Sequence, residues 1–258
     1  MTVLDSFKLE GKVALVTGGA GLFGRQIVIA LAEAGATTVV ASRNVQALED
    51  QAQTLRATGL NVTAMELDQS DEASVTALRD RVLAEQGQVD VQVNNAVMRP
   101  MKSWDDGHDA FAQSMAVNAT GMYLMIRAFG DHMAERGAGS IINIGSIQGM
   151  VGPDFSLYEG LGLDAPPDYY FHKGGLVQLT RYAASRLGPK GVRVNCLSPG
   201  GFFNDQGQEF VERYNKRTFL GRMANEEDLK GAIVFLASDA SAYVTGANLA
   251  IDGGYTAK

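Results

Sequence analysis

Two periodicities alternate along the chain. Short, mostly apolar runs at 12–17, 38–41, 61–67, 89–93, 140–144, 192–197 and 247–251 predict seven strands. Amphipathic stretches between them predict helices over 25–34, 44–57, 71–86, 104–115, 117–136, 169–187, 206–217 and 226–238. Strands this apolar are buried on both faces, which is the mark of a parallel sheet covered by helices. Strand–helix alternation from end to end predicts an α/β fold, a doubly wound parallel sheet of Rossmann type, as a single domain over 1–258. The segment 147–168 fits neither pattern and is long for a loop, which in a compact domain marks a lid or binding loop.

Composition narrows the class. One cysteine, in V-R-V-N-C-L, excludes an intramolecular disulfide and suits a reducing, cytoplasmic setting. A net charge of −7 with no basic run argues against nucleic acid and anionic membranes as partners. No apolar stretch reaches the roughly 18–20 residues of a membrane span. The start, M-T-V-L-D-S-F-K-L-E, is too acidic for a signal peptide. Three histidines without H-x-x-H or C-x-x-C spacing predict no catalytic metal. Of these, His108 is expected on the surface and His172 at the edge of the pocket. The 30 glycines against 6 prolines point to many tight turns or close backbone approaches.

Some of those glycines have a chemical reason. The first strand runs into T-G-G-A-G-L-F-G, in which Gly19, Gly21 and Gly24 form G-x-G-x-x-G at a helix start. A pyrophosphate needs backbone N–H groups with no Cβ in the way and the positive end of a helix behind them. Gly18, Leu22 and Phe23 complete the candidate cofactor turn. Strand two ends in Ser42, Arg43 and Asn44, with no acid for a ribose 2′-hydroxyl. An arginine there pairs with a 2′-phosphate, favouring NADP over NAD; stacking on adenine or plain solvation is the alternative. Asp68 closes strand three, to meet the adenine or to cap the next turn. Asn95 and Ala96 end strand four, where ligands sit in open α/β sheets.

Tyr169 and Lys173 are four apart at a helix start, hence on one face. A phenol titrates near 10, and an ammonium beside it favours the phenolate, so the pair suits proton transfer at a carbonyl or alcohol. Tyr170 competes, but its partner four residues on is Gly174. Ser146 follows strand five, to hold a substrate oxygen or simply to form a turn. Asn118 sits mid-helix, where asparagine is mildly unfavourable, as a functional group or a satisfied buried amide.

Together these residues resemble the short-chain dehydrogenase/reductase family in its shorter, single-domain branch. The resemblance covers nearly the whole chain and rests on T-G-G-A-G-L-F-G, Asp68, N-N-A, Asn118, Ser146, Tyr169 with Lys173, S-P-G-G (198–201) and D-G-G (252–254). It implies that Tyr169 is the general acid/base, that Lys173 lowers its pKa and holds the nicotinamide ribose, and that Ser146 positions the reacting oxygen. It also implies that Asn118 steadies a relay water. Pro199, Gly200 and Phe202 would meet the cofactor, and Arg99, Gln148 and Gly201 the substrate. A homotetramer, or a homodimer, is implied as the assembly.

The departures are informative. Leu22 and the spacing of Gly18, Gly21 and Gly24 look like the longer, sugar-nucleotide branch, so an epimerase or dehydratase is one alternative. A non-catalytic dinucleotide sensor or scaffold is another. Val97 replaces a glycine, and Asn204 stands where a threonine often meets the carboxamide. Ser146 and Tyr169 are 23 positions apart (169 − 146), more than is usual, and the extra residues fall in 147–168. The segment carries Asp154, Tyr158, Glu159, Asp164 and Asp168, and several glycines that suggest a mobile lid. So polar a surround, with D-F-S-L-Y-E-G and N-N-A-V-M-R-P-M, is similar to members acting on sugars, sugar acids or polyols. The predicted activity is hydride transfer between a nicotinamide cofactor and a small hydroxylated substrate.

Overall fold

The computed structural model describes residues 2–257. Seven strands form one parallel sheet: β1 (Val13–Thr17), β2 (Thr37–Ser42), β3 (Val62–Glu66), β4 (Val91–Asn94), β5 (Gly139–Ile144), β6 (Val192–Pro199) and β7 (Asn248–Ile251). Their order is β3-β2-β1-β4-β5-β6-β7, so the winding reverses between β1 and β4. The carboxyl ends of the strands at such a reversal frame a crevice for ligands.

Side chains alternate across the strands. Ala14 and Val16 face a core with Ile27, Leu31, Leu48, Ile233 and Leu236. Leu15 faces the other, with Met65, Leu78, Met125, Phe129 and Leu176. The helices covering these faces are α1 (Leu22–Glu33), α2 (Val45–Arg56), α3 (Glu72–Gln86), α4 (His108–Met115), α5 (Met122–Arg136), α6 (Pro167–Leu187), α7 (Gln208–Asn215) and α8 (Lys230–Ala237).

Several helix boundaries differ from the periodicity: α1, expected from 25, starts at Leu22, and three other differences have a visible cause. The helix expected from 104 starts at His108, because the Asp106 carboxylate takes the N–H groups of Lys102 and Ser103 and holds them in a loop. That helix and the next, α5, are one rod, joined by a π-helical turn over Ala116–Gly121. The helix expected over 226–238 starts four residues later, because the Asp228 carboxylate ties off a loop through Asn225 N–H and Arg222.

A buried polar chain fixes α6 against the sheet. Asn94 Nδ2 donates to Asn143 Oδ1 at 2.8 Å, and Asn143 Nδ2 to Thr180 Oγ1 at 2.9 Å. Thr180 lies two turns beyond Lys173 on the same face of the helix. Closer still, a Cβ on Gly149 would lie 2.5 Å from the carbonyl oxygen of Lys173. Only glycine lets the turn after β5 lie on α6 there, which brings Ser146 and Lys173 to one place. Gly149 thus belongs to the packing and not to a lid. Among the described residues, no helix is long and apolar enough to cross a membrane.

Candidate active site

A cleft of about 630 Å³ opens at the carboxyl edge of the sheet, where the winding reverses. At one end lies the turn between β1 and α1. Gly18 takes a left-handed φ of +69°, and a Cβ there would stand 2.8 Å from Ala96 Cα. A Cβ on Gly24 would stand 2.1 Å from Gly18 O. Gly21 is different: its Cβ would meet only Gly18 O, at 3.5 Å, so its open side belongs to the cleft. Asn95 Nδ2 holds the turn through Thr17 O and Gly18 O, while Thr17 Oγ1 accepts from the N–H groups of Asn95 and Ala96. A Cβ-free turn feeding a helix N-terminus fits a pyrophosphate.

Leu22, Phe23, Ser42, Arg43, Asp68, Asn95 and Ala96 line the same cleft. Arg43 is exposed and has no ion pair among the described residues, so its guanidinium is available to an anion. Asp68 caps its turn, accepting from Ser70 N–H at 2.9 Å and Ser70 Oγ at 2.6 Å, while also facing the cleft. These bonds hold its carboxyl below the usual range, and Arg43 assists. Two candidates lie elsewhere. Gly19 is buried against Val28 and Val40. Asn44 spends its side-chain oxygen on Ala47 N–H, capping α2.

At the other end, Ser146, Gln148, Tyr169, Lys173 and Arg99 come together with Pro199, Gly200, Gly201 and Phe202. Phe202 packs edge-on against Phe23, ring centroids 5.1 Å apart, and so ties the β6 loop to the phosphate turn. Lys173 is buried and donates to Ile144 O at 2.6 Å, leaving two of its three donors for the cleft. Its Nζ stands 5.6 Å from the Tyr169 ring centre, and Arg99 Cζ lies 4.3 Å from the same centre. Burial pushes the Tyr169 phenol up, but Lys173 and Arg99, with a hydrogen bond from Ser146, outweigh it and leave the phenol below its ordinary value. A phenol so placed can take a proton from an alcohol and return it to a carbonyl.

The neighbours divide sharply. Burial pushes Tyr170 far up; it lies off the cleft wall and bonds with Tyr158, which is on it. His172 was expected at the pocket's edge. It is buried instead, edge-on to Tyr169 at 5.1 Å, and burial with the Lys173 and Arg99 charges drives its pKa to about 3. His108 is exposed and beside Asp109. Asn118 does not reach the cleft wall. Its Oδ1 accepts from Met98 N–H at 2.9 Å and its Nδ2 donates to Met98 O at 2.7 Å and Ser114 Oγ at 3.0 Å. With both donors used, the side chain braces the loop that carries Arg99. Asn204 is exposed and off the wall, and Gln206 lines the cleft in its neighbourhood. No cluster of three potential metal ligands exists among the described residues.

Sequence reasoning missed Gln206, Phe210, Tyr214 and Met223 on the wall. Phe210 and Tyr214 are four apart on α7, one apolar stripe that reads as core in sequence and here faces the cleft. Tyr214 Oη accepts from Gly201 N–H.

Residues 20–256 match the family described as Enoyl-(Acyl carrier protein) reductase. The chain is 36% identical to D-threitol dehydrogenase of Mycolicibacterium smegmatis, spanning 100% of this chain and 98% of that protein. It is 35% identical to the L-tagatose-forming galactitol 2-dehydrogenase of Cereibacter sphaeroides, over 97% of both chains. Its fold superposes with a TM-score of 0.91 on a gluconate 5-dehydrogenase from Burkholderia cenocepacia, solved in complex with NADP and tartrate, at 32% identity over 100% of both chains. A Cβ-free phosphate turn, a lysine-assisted phenol at the far end of one cleft, and full-length similarity to these enzymes converge: the chain belongs to the short-chain dehydrogenase/reductase family, oxidoreductases that act on alcohol groups with a nicotinamide cofactor.

Proposed function

We propose that the protein is an NADP(H)-preferring dehydrogenase that interconverts a secondary alcohol and a ketone on a sugar, sugar acid or polyol, with NAD as the alternative cofactor. The observation that carries the reading is the Tyr169 phenol, held below its ordinary value by Lys173 and Arg99 beside Ser146. Nicotinamide, when bound, accepts or donates the hydride; the protein handles the proton. In the oxidising direction Tyr169 Oη takes the hydroxyl proton, and Ser146 Oγ orients the reacting oxygen. Lys173 keeps the phenol acidic and offers its two remaining donors to the ribose. Arg43, without an ion pair among the described residues at the adenosine end, supports the 2′-phosphate. Arg99, which likewise has no ion pair among the described residues, supports a substrate bearing hydroxyl or carboxylate oxygens. The relatives act on threitol and galactitol, and the superposed neighbour holds a hydroxylated diacid, tartrate.

The same reading makes the enzyme cytoplasmic, in keeping with its single, buried, free cysteine. It also makes it a homotetramer or homodimer, supported by exposed Phe219, Leu220 and Tyr243 in the chain flanking the edge strand β7; sedimentation of the purified chain checks the assembly. The activity is tested with Tyr169→Phe. It should lose on the order of 10²–10⁴-fold in kcat, the usual worth of a positioned acid/base, while NADPH still binds. Near-normal turnover in that variant would overturn the proposal.

A further inference from the structure

The segment between β5 and α6 is fastened, not loose. Leu157 is 2% exposed and packs with Ile147, Tyr214 and Met223 in a small satellite core under the segment. The next residue, Tyr158, faces the cleft. Its ring centre lies 6.0 Å from that of Phe210, and its hydroxyl accepts from Gln148 Nε2 at 3.4 Å and pairs with Tyr170. From outside, α7 and the turn after it hold the segment down. Arg213 Nη1 donates to Ser156 O at 3.0 Å and Glu159 O at 2.7 Å. Arg217 Nε donates to Asp154 Oδ2 at 2.5 Å and its Nη2 to Ser156 Oγ at 2.6 Å. The planar fork of arginine suits it to collecting several acceptors at once. A second tether runs from Trp104 N–H, near Arg99 in the chain, to Asp164 Oδ2 at 3.1 Å. Beyond the fastened stretch, Gly160 and Gly162 take left-handed φ values of +76° and +64°.

We propose that Tyr158 is a specificity-determining residue: it walls the substrate side of the cleft, and Arg213 and Arg217 latch it there. The inference rests on the sugar, sugar acid or polyol reading above. Tyr158 presents a flat apolar face that limits the length of the substrate. It also presents a hydroxyl, already oriented by Gln148 and Tyr170, that matches a substrate hydroxyl. A compact polyhydroxylated substrate therefore gains from this wall, and a long alkyl alcohol is turned away by it. The latch couples wall and helix, because α7 supplies both Phe210, which packs on Tyr158, and Arg213, which holds its backbone neighbours.

The test uses the full chain with NADP and a panel of D-threitol, galactitol, D-gluconate and 2-decanol. Tyr158→Ala should lower kcat/KM on the preferred polyhydroxylated substrate by at least about tenfold, mainly through KM, the scale on which a pocket contact discriminates. Its preference over 2-decanol should shrink by a similar factor, with NADPH affinity unchanged. Tyr158→Phe keeps the wall and loses the hydroxyl, so its loss should be smaller. Arg213→Ala with Arg217→Ala should speed amide hydrogen exchange over residues 154–160 and reproduce part of the Tyr158→Ala change. Wild-type discrimination in Tyr158→Ala sinks the wall, and unaltered exchange in the arginine double variant sinks the latch. If the wild type prefers 2-decanol, the polyol reading falls by itself. Tyr158→Ala then judges the wall on whichever alcohols are turned over, and an unchanged ratio overturns it.

Discussion

Tyr169 and Tyr170 are adjacent in the chain and opposite in chemistry. Both lose hydration on folding, which raises a phenol's pKa. For Tyr170 no cation offsets this, a hydrogen bond with Gln148 offsets only a little of it, and its partners Tyr158 and Tyr255 push it further up. For Tyr169 two cations more than offset it. One of them, Lys173, is legible in sequence because it is four residues away on the same helix. The other, Arg99, comes from the loop after β4, and no spacing rule connects it to Tyr169. The consequence is a pH profile. Alcohol oxidation needs the phenolate, so kcat/KM should rise with pH and level off above the folded-state pKa, below the ordinary phenol value of about 10. Arg99→Gln removes one of the cations that favour the phenolate, so the limb should move to higher pH, toward that value. Lys173→Met should move it further, since Lys173 is the larger influence. A limb that stays put in Arg99→Gln would remove Arg99 from the proton-transfer set.

Elements were legible where burial dictates a pattern. All seven strands lie within a residue or two of their apolar runs, because both faces of the sheet are covered. Helix starts at loops were less legible, since Asp106 and Asp228 set two of them by side-chain bonds that no periodicity records. The π-helical turn was visible only as an awkward mid-helix asparagine, and Asn118 turned out to brace Met98. The phosphate turn separates two kinds of glycine that sequence treats alike. Gly24→Ala would drive a Cβ into the backbone at Gly18, which should cost about 1–3 kcal/mol, as overpacking does. Gly21→Ala meets only an ordinary contact at 3.5 Å, and its φ of −72° suits any residue. Its melting temperature should therefore stay near wild type while NADPH affinity falls, because the new methyl group points into the cleft where the proposed function seats the pyrophosphate. Equal melting temperatures for the two variants would show that the turn relaxes around Gly24.

At the scale of the whole molecule, charge works against the cofactor. The chain carries a net −7, and NADP brings further negative charge, so long-range attraction does not assemble this complex. On the function proposed above, binding is local: backbone N–H groups at the start of α1, then Arg43 for the 2′-phosphate. That makes stability a gauge of recognition, since a ligand that binds only the folded state stabilises it. At 100 times its Kd, NADPH should add about 2.7 kcal/mol. For a chain of this size that corresponds to a rise in melting temperature of roughly 5–10 °C. NADH at the same concentration lacks the 2′-phosphate and should give a clearly smaller rise. Arg43→Ala should bring the NADPH rise down to the NADH one while leaving the NADH rise unchanged, because the turn and helix that hold the pyrophosphate are intact. If wild type responds equally to both cofactors, Arg43 is a solvated side chain and the preference for NADP falls, while the phosphate turn and the Tyr169 site keep their assignments.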